Sequence, residues 1–241
     1  MNKRKYSPLQ MKGGGLTDAI VTEWGNVTSV FKPFLVDVFR LLPDSILFGS
    51  LFFALVSQSY PMVIFVISML ESALAGNLLQ RFMGYLDVSR TLPSLSEDPG
   101  MCVPSTYAPS LETLLSFSSN VPSGVPSFPV YFLATASAYI VGSVWSQKQE
   151  LEALGPEYAA RFYIAVTITS LLLFLLMTYR LAYGCDGVGT LIVSLFFGLV
   201  AGSLLLLQNN YLLGRDSTNF SGVPLLRERT KDGKPLYVCT K

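Results

Sequence analysis

The chain has 241 residues, of which 51% are hydrophobic and 14% charged, and its mean hydropathy is +0.46. A soluble domain carries about 25% charged residues, so there is too little charge here to cover a water-exposed surface. Histidine is absent and the formal net charge is +1, which removes the commonest general base, metal ligand and proton switch and leaves no global signal for specific nucleic-acid binding.

Residues 1–15 hold Lys3, Arg4, Lys5 and Lys12 and end in Gly13-Gly-Gly15, which predicts a flexible basic arm able to meet lipid headgroups. No apolar run adjoins it, so no cleavable signal peptide is expected. Over residues 16–43 the apolar side chains Ile20, Trp24, Val27, Phe31, Phe34, Leu35, Val38, Phe39, Leu41 and Leu42 recur every three or four positions. That stripe predicts an amphipathic helix, lying in the membrane interface or packed on a partner protein, bent at Pro33 and ended by Pro43.

Asp44 is placed to cap an apolar segment over residues 44–82, interrupted by Ser57-Gln-Ser-Tyr-Pro61. It reads as one kinked crossing, with Glu71 near its boundary as an interfacial residue. The alternative is two crossings, the second from Met62 to Arg81 with Glu71 near its middle, where a carboxylate is costly. Residues 83–128 are rich in Pro and Ser and contain no helix-length apolar run, so they form the one substantial extramembrane loop.

A three-helix membrane region is expected over residues 129–213. Pro129 to Ser146 is a short apolar span with Tyr131 and Trp145 as interface anchors, and Lys148 to Arg161 is a charged link. Phe162–Tyr179 and Val188–Leu213 are uncharged, and a helix needs about 20 mainly apolar residues to cross roughly 30 Å of hydrocarbon. Between them, Gly184 and Gly187 suit a turn and Asp186 can cap the second helix. Residues 214–241 form a polar tail with Arg215, Arg227, Arg229, Lys231 and Lys234, within which Asp232-Gly233 can turn a small hairpin. The fold class is therefore all-α: a polytopic membrane protein of about four transmembrane helices plus an N-terminal interfacial helix.

Four crossings put fourteen of the 17 Lys and Arg residues on one side, leaving Arg81, Arg90 and Arg180 on the other. The positive-inside rule then places both termini in the cytosol and the 83–128 loop on the luminal side. Asn26-Val-Thr28 and Asn219-Phe-Ser221 match the glycosylation pattern but would stay unmodified. Cys102 and Cys185 share the potentially oxidising side, with Cys239 outside it, so the two either form a disulfide or stay as buried free thiols. The three cysteines are too dispersed for a CxxC metal site.

Gly198-Leu-Val-Ala-Gly202 is a GxxxG pattern extended back by Ser194, and Ala134, Ala138, Gly142 and Ser146 repeat the spacing. Small residues let helix backbones approach closely, within one bundle or between two copies in a homo-oligomer. Pro122-Ser-Gly-Val125 resembles the Pro-Ser-Gly-His element of membrane lipid phosphate phosphatases. That chemistry needs histidines, and Val125 stands in the histidine position, so at most an inactive relative is implied. No Ser-His, paired-carboxylate or phosphate-loop set is present, and no enzyme, metal or cofactor is expected. A small transporter is a further alternative, with Glu71 and Arg180 as its charges.

Tyr183-Gly-Cys-Asp186, Leu204-Leu-Leu-Leu-Gln-Asn-Asn210, Gly214-Arg-Asp216 and Lys231-Asp-Gly-Lys-Pro-Leu-Tyr-Val-Cys239, with the Ser/Pro-rich loop, resemble the multi-spanning virion membrane proteins of large nucleocytoplasmic DNA viruses. The resemblance covers residues 120–241. It implies a structural protein of an internal, host ER-derived virion membrane, linking the lipid bilayer to overlying minor capsid proteins through the basic arm and the tail.

Overall fold

The computed structural model describes residues 37–39, 41–86, 102, 125–148, 151–152 and 156–220. The chain divides into a small unit, Met1–Val38, and a large one, Phe39–Lys241. Described residues 37–38 of the first are helical. The basic arm, most of the 16–43 stripe, the 83–128 loop apart from Met83–Leu86, Cys102 and Val125–Phe128, and the tail beyond Phe220 lie outside the described residues.

Among the described residues every regular element is helical. Four helices are long and apolar enough to cross a membrane: α2 (Tyr60–Tyr85), α3 (Phe128–Ser146), α4 (Pro156–Ala182) and α5 (Val188–Leu212). A shorter apolar helix, α1 (Leu41–Ser57), precedes them, and a 3-10 turn, Arg215–Thr218, follows α5.

The segment expected as one kinked crossing is two helices. Gln58 takes a left-handed conformation (φ 48°) and Ser59 an extended one (φ −86°, ψ 112°), so the chain cannot continue α1. It restarts at Tyr60-Pro61, where proline is tolerated because first-turn amides have no intrahelical partner. The amides of Met62 and Val63 both donate to the Ser59 carbonyl at 3.1 Å. Pro43 does not end a helix as expected, because residues 41–57 are helical throughout, and Asp44 lies inside that helix rather than capping it. Glu71 falls near the middle of α2, as in the two-helix alternative.

Tie points fix the directions. Gly76 lies against the Tyr131 ring and Phe65 packs edge-on to Tyr139 with ring centroids 5.5 Å apart, so α2 and α3 run antiparallel. Trp145 at the end of α3 meets Phe162 near the start of α4, centroids 5.2 Å apart. α5 runs parallel to α3, with Ser194 beside Ser127, Gly198 beside Tyr131 and Gly202 beside Thr135. Helix α1 folds back along α2: Leu47 joins the buried core of Phe65, Val66, Met69 and Tyr139, and Phe39 stacks on Tyr179, centroids 5.3 Å apart, near the end of α4.

Helix α3 is the central element. Of its apolar stretch 67% is buried inside the protein, against 11% for α4, which therefore offers most of its surface to the surroundings. The exposed side chains of α4 and α5 include Ile164, Ile168, Leu171, Phe174, Ile192, Phe196, Leu204 and Leu207. An apolar exterior of this kind is compatible with a lipid surround, since in water it would cost about 25 cal/mol for each Å² exposed.

Candidate functional site

The seam between α3 and α5 is built from the small residues that the sequence singles out. A Cβ added at Gly198 would lie 2.5 Å from the Tyr131 carbonyl oxygen and 2.6 Å from the Ala134 Cβ. One added at Gly202 would strike the Thr135 carbonyl and come within 2.8 Å of the Ala138 Cβ. On the opposing ridge, Gly142 leaves space for Leu206, whose Cδ2 would be 2.5 Å from an added Cβ. At Gly198 and Gly202 the nearest atoms belong to the backbone of α3, so a larger side chain there would push the helices apart, whereas at Gly142 the Leu206 side chain can shift. Ala134, Ala138, Gly142, Ser194, Gly198 and Gly202 therefore pack within one chain.

Polar groups gather at the two ends of this seam. At the end where α3 and α5 begin, the tight turn after α4 uses Gly184 in the left-handed region (φ 64°), and the amides of Cys185 and Asp186 return to the Arg180 carbonyl at 2.8 and 3.4 Å. Gly187, by contrast, is ordinary extended backbone before α5. The Asp186 carboxylate, expected as a helix cap, instead takes hydrogen bonds from the Arg180 guanidinium and, at 2.7 Å, the Ser127 hydroxyl. Both charged side chains are nearly enclosed, 11% and 4% exposed.

Further ties surround that ion pair. The Ser127 amide donates to Ser194 Oγ at 2.7 Å, and Ser194 Oγ donates to the Thr190 carbonyl at 2.5 Å. Gln80 Nε2 reaches from α2 to the Pro126 carbonyl at 2.8 Å. Cys102 and Cys185 are joined by a disulfide across a sequence separation of 83, with their Cα atoms 5.3 Å apart. Val125, which occupies the phosphatase histidine position, is buried at 3% exposure.

At the opposite end, Asn209 of α5 donates from Nδ2 to the Ser68 hydroxyl of α2 and the Tyr139 hydroxyl of α3, both at 2.7 Å. Tyr139 and Phe65 also hold Phe220, with centroids 5.9 and 5.5 Å from it. The 3-10 turn closes over the seam: the Thr218 carbonyl accepts from Ser143 Oγ and, at 3.3 Å, from Gln147 Nε2, while Thr218 Oγ1 donates to Asn210 Oδ1 at 2.8 Å. Arg215, expected to face a partner or headgroups, donates to the Ser146 carbonyl. Lys148 lies over the Trp145 and Phe162 rings, 5.0 and 5.6 Å from their centroids, and 3.7 Å from Glu152. Glu71 is exposed on α2, its carboxylate 3.4 Å from Gln208 Nε2.

The other proposed contact residues, Lys3, Arg4, Lys5, Lys12, Arg227, Arg229, Lys231 and Lys234, lie outside the described residues. Among the described residues no three His, Cys, Asp or Glu side chains come together as a metal-sized cluster. The ties through Asn209, Gln80 and Ser127 were not anticipated from the sequence. For Asn209 and Gln80 the signal was an amide in an otherwise apolar helix, where a polar group left unpaired away from water costs several kcal/mol; Ser127 lies just ahead of α3 and carried no such signal.

The chain matches no family model, and no curated protein sequence or solved structure is similar to it.

Proposed function

We propose that the protein is an integral-membrane scaffold, a fixed helical bundle that holds its extramembrane segments in place and anchors a protein layer to the bilayer. The observation that carries this reading is the use made of the buried polar groups. Asp186, Ser127, Gln80, Asn209 and Thr218 each join two or more elements of the bundle. A binding or catalytic site keeps such groups directed at a ligand; here they tie helix to helix.

The resemblance of the last third to virion membrane proteins supplies the proposed partner, a shell of minor capsid-type protein engaged by the tail with its Arg227, Arg229, Lys231 and Lys234. The test is removal of residues 221–241 in the membranes where the chain resides. The shortened chain should stay in the membrane through alkaline extraction while the overlying protein is released. Retention of that protein would contradict the reading.

Glu71 supports a second reading, a small transporter. Its carboxylate lies near the middle of α2 on an exposed face, and ionisable groups at such depth commonly mark solute or proton pathways. Loss of flux in reconstituted vesicles on Glu71→Gln would establish this reading in place of the first.

A further inference from the structure

The geometry points to a fifth crossing, α1, which sends the chain into the bundle on the disulfide face and out on the opposite face. Three observations carry it. First, the break at Gln58–Ser59 is too short for anything but a reversal or a kink. A kink would carry Phe39 away from the bundle, because α1 alone extends about 25 Å at about 1.5 Å per residue. The Phe39 ring instead stacks on Tyr179, beside the Arg180–Asp186 pair, so α1 is reversed against α2. Second, Leu47 and Ala54 are buried, at 4% and 2% exposure, whereas Phe52, Leu55 and Val56 are 67–69% exposed. One face of α1 thus packs on the bundle and the other is apolar enough to need lipid. Third, its 17 residues sit at the short end of the range that spans a bilayer, about 17–25.

Phe39 therefore stands at the end of the bundle that holds the Cys102–Cys185 disulfide, and Phe220, packed on Phe65 and Tyr139, stands at the other. Four crossings would put both on one face. Residues 1–40 hold no compensating crossing, because Lys12, Asp18, Glu23, Lys32 and Asp37 interrupt every apolar stretch there.

The charge argument changes accordingly. The six Lys and Arg residues ahead of α1 move to the face of Arg81, Arg90 and Arg180, giving nine there and eight on the other among the 17 in the chain. So even a division does not orient the protein. The disulfide does: such bonds persist on the oxidising side of a membrane. The face of Phe39 and Cys102 is the luminal one, and the tail after Phe220 is cytosolic. The two ends of the chain thereby meet different partners, the tail alone facing a cytosolic layer.

The experiment is protease protection of the full chain in sealed microsomes, with one epitope tag before Met1 and another after Lys241 and an intact disulfide as the folding control. The expected result is a protected N-terminal tag and a digested C-terminal tag. Two tags on the same side, digested or protected together, would overturn the five-crossing path. The native acceptor motifs give a second reading. A glycan lost in Asn26→Gln supports the path, and a glycan lost in Asn219→Gln contradicts it.

Discussion

Asn209 and Tyr139, on parallel helices α5 and α3, are joined by a 2.7 Å hydrogen bond, and the same amide group of Asn209 also reaches Ser68 on α2. One side chain thus holds three helices at one level of the bundle. Interhelical hydrogen bonds of this type contribute about 0.6 kcal/mol on average and up to about 1.7 kcal/mol. Asn209→Leu is expected to destabilise the bundle by about 1–2 kcal/mol, since it removes the amide donor from two buried hydroxyls at once, of which Ser68 Oγ keeps its own bond to the Ile64 carbonyl. Tyr139→Phe should cost less than Asn209→Leu, and the double variant should cost less than the sum of the two. Thermal unfolding in detergent micelles, arranged as a double-mutant cycle, checks both statements; strict additivity would mean that the two groups do not interact.

The small-residue seam makes a position-specific prediction. Gly202→Val meets the Thr135 carbonyl and the Ala138 methyl, so α3 and α5 must separate, and a loss of about 3 kcal/mol or failure to fold is expected. Gly49 of α1 has nothing within 4 Å of an added Cβ. Gly49→Ala should therefore be neutral or stabilising by up to about 1 kcal/mol, the helix-propensity gain. Melting temperatures of the two variants in one detergent decide the matter, and similar values would show that the seam is not where the backbones touch.

The membrane helices and the ridge of small residues were legible in the sequence because length, hydropathy and spacing are local properties. The same is true of the turn at Gly184. Two features were not. Whether Ser57-Gln-Ser-Tyr-Pro61 kinks a helix or reverses it depends on what α1 finds to pack against, and Leu47 and Phe39 find the core and Tyr179, far away in sequence. Likewise Asp186 next to a helix start suggests a cap, but Arg180 and Ser127 offer it a charge and a hydroxyl, and a guanidinium adds the attraction of a full opposite charge that a neutral backbone amide lacks. Partners supplied by tertiary structure decided both cases.

The Arg180–Asp186 pair yields the next prediction. Because both side chains are nearly enclosed, Asp186→Ala leaves a guanidinium without its counter-charge, and breaking a buried pair from one side costs about 3–5 kcal/mol. Removing both partners together, as in Arg180→Met with Asp186→Ala, should recover a substantial part of that loss. Unfolding midpoints of the single and double variants check this, and a double variant as unstable as Asp186→Ala alone would refute it.

Reduction of Cys102–Cys185 releases the segment between residues 86 and 125 from the α4–α5 turn. A disulfide typically contributes about 2–4 kcal/mol through restriction of the unfolded chain. Reductant, or Cys185→Ser, should lower the unfolding midpoint and speed proteolysis between residues 87 and 124, while cleavage within α3 and α5 stays slow. Equal cleavage rates in the oxidised and reduced protein would show that the bond does not restrain this segment.

The scaffold reading is tested most directly by a density map of the chain in its native membrane assembly, with neighbouring molecules visible. The expected map has the helices of this bundle inside the bilayer density and, on the face where Phe220 emerges, a second protein in continuous contact with the tail. A bundle surrounded by lipid alone, with no protein layer on that face, would contradict it.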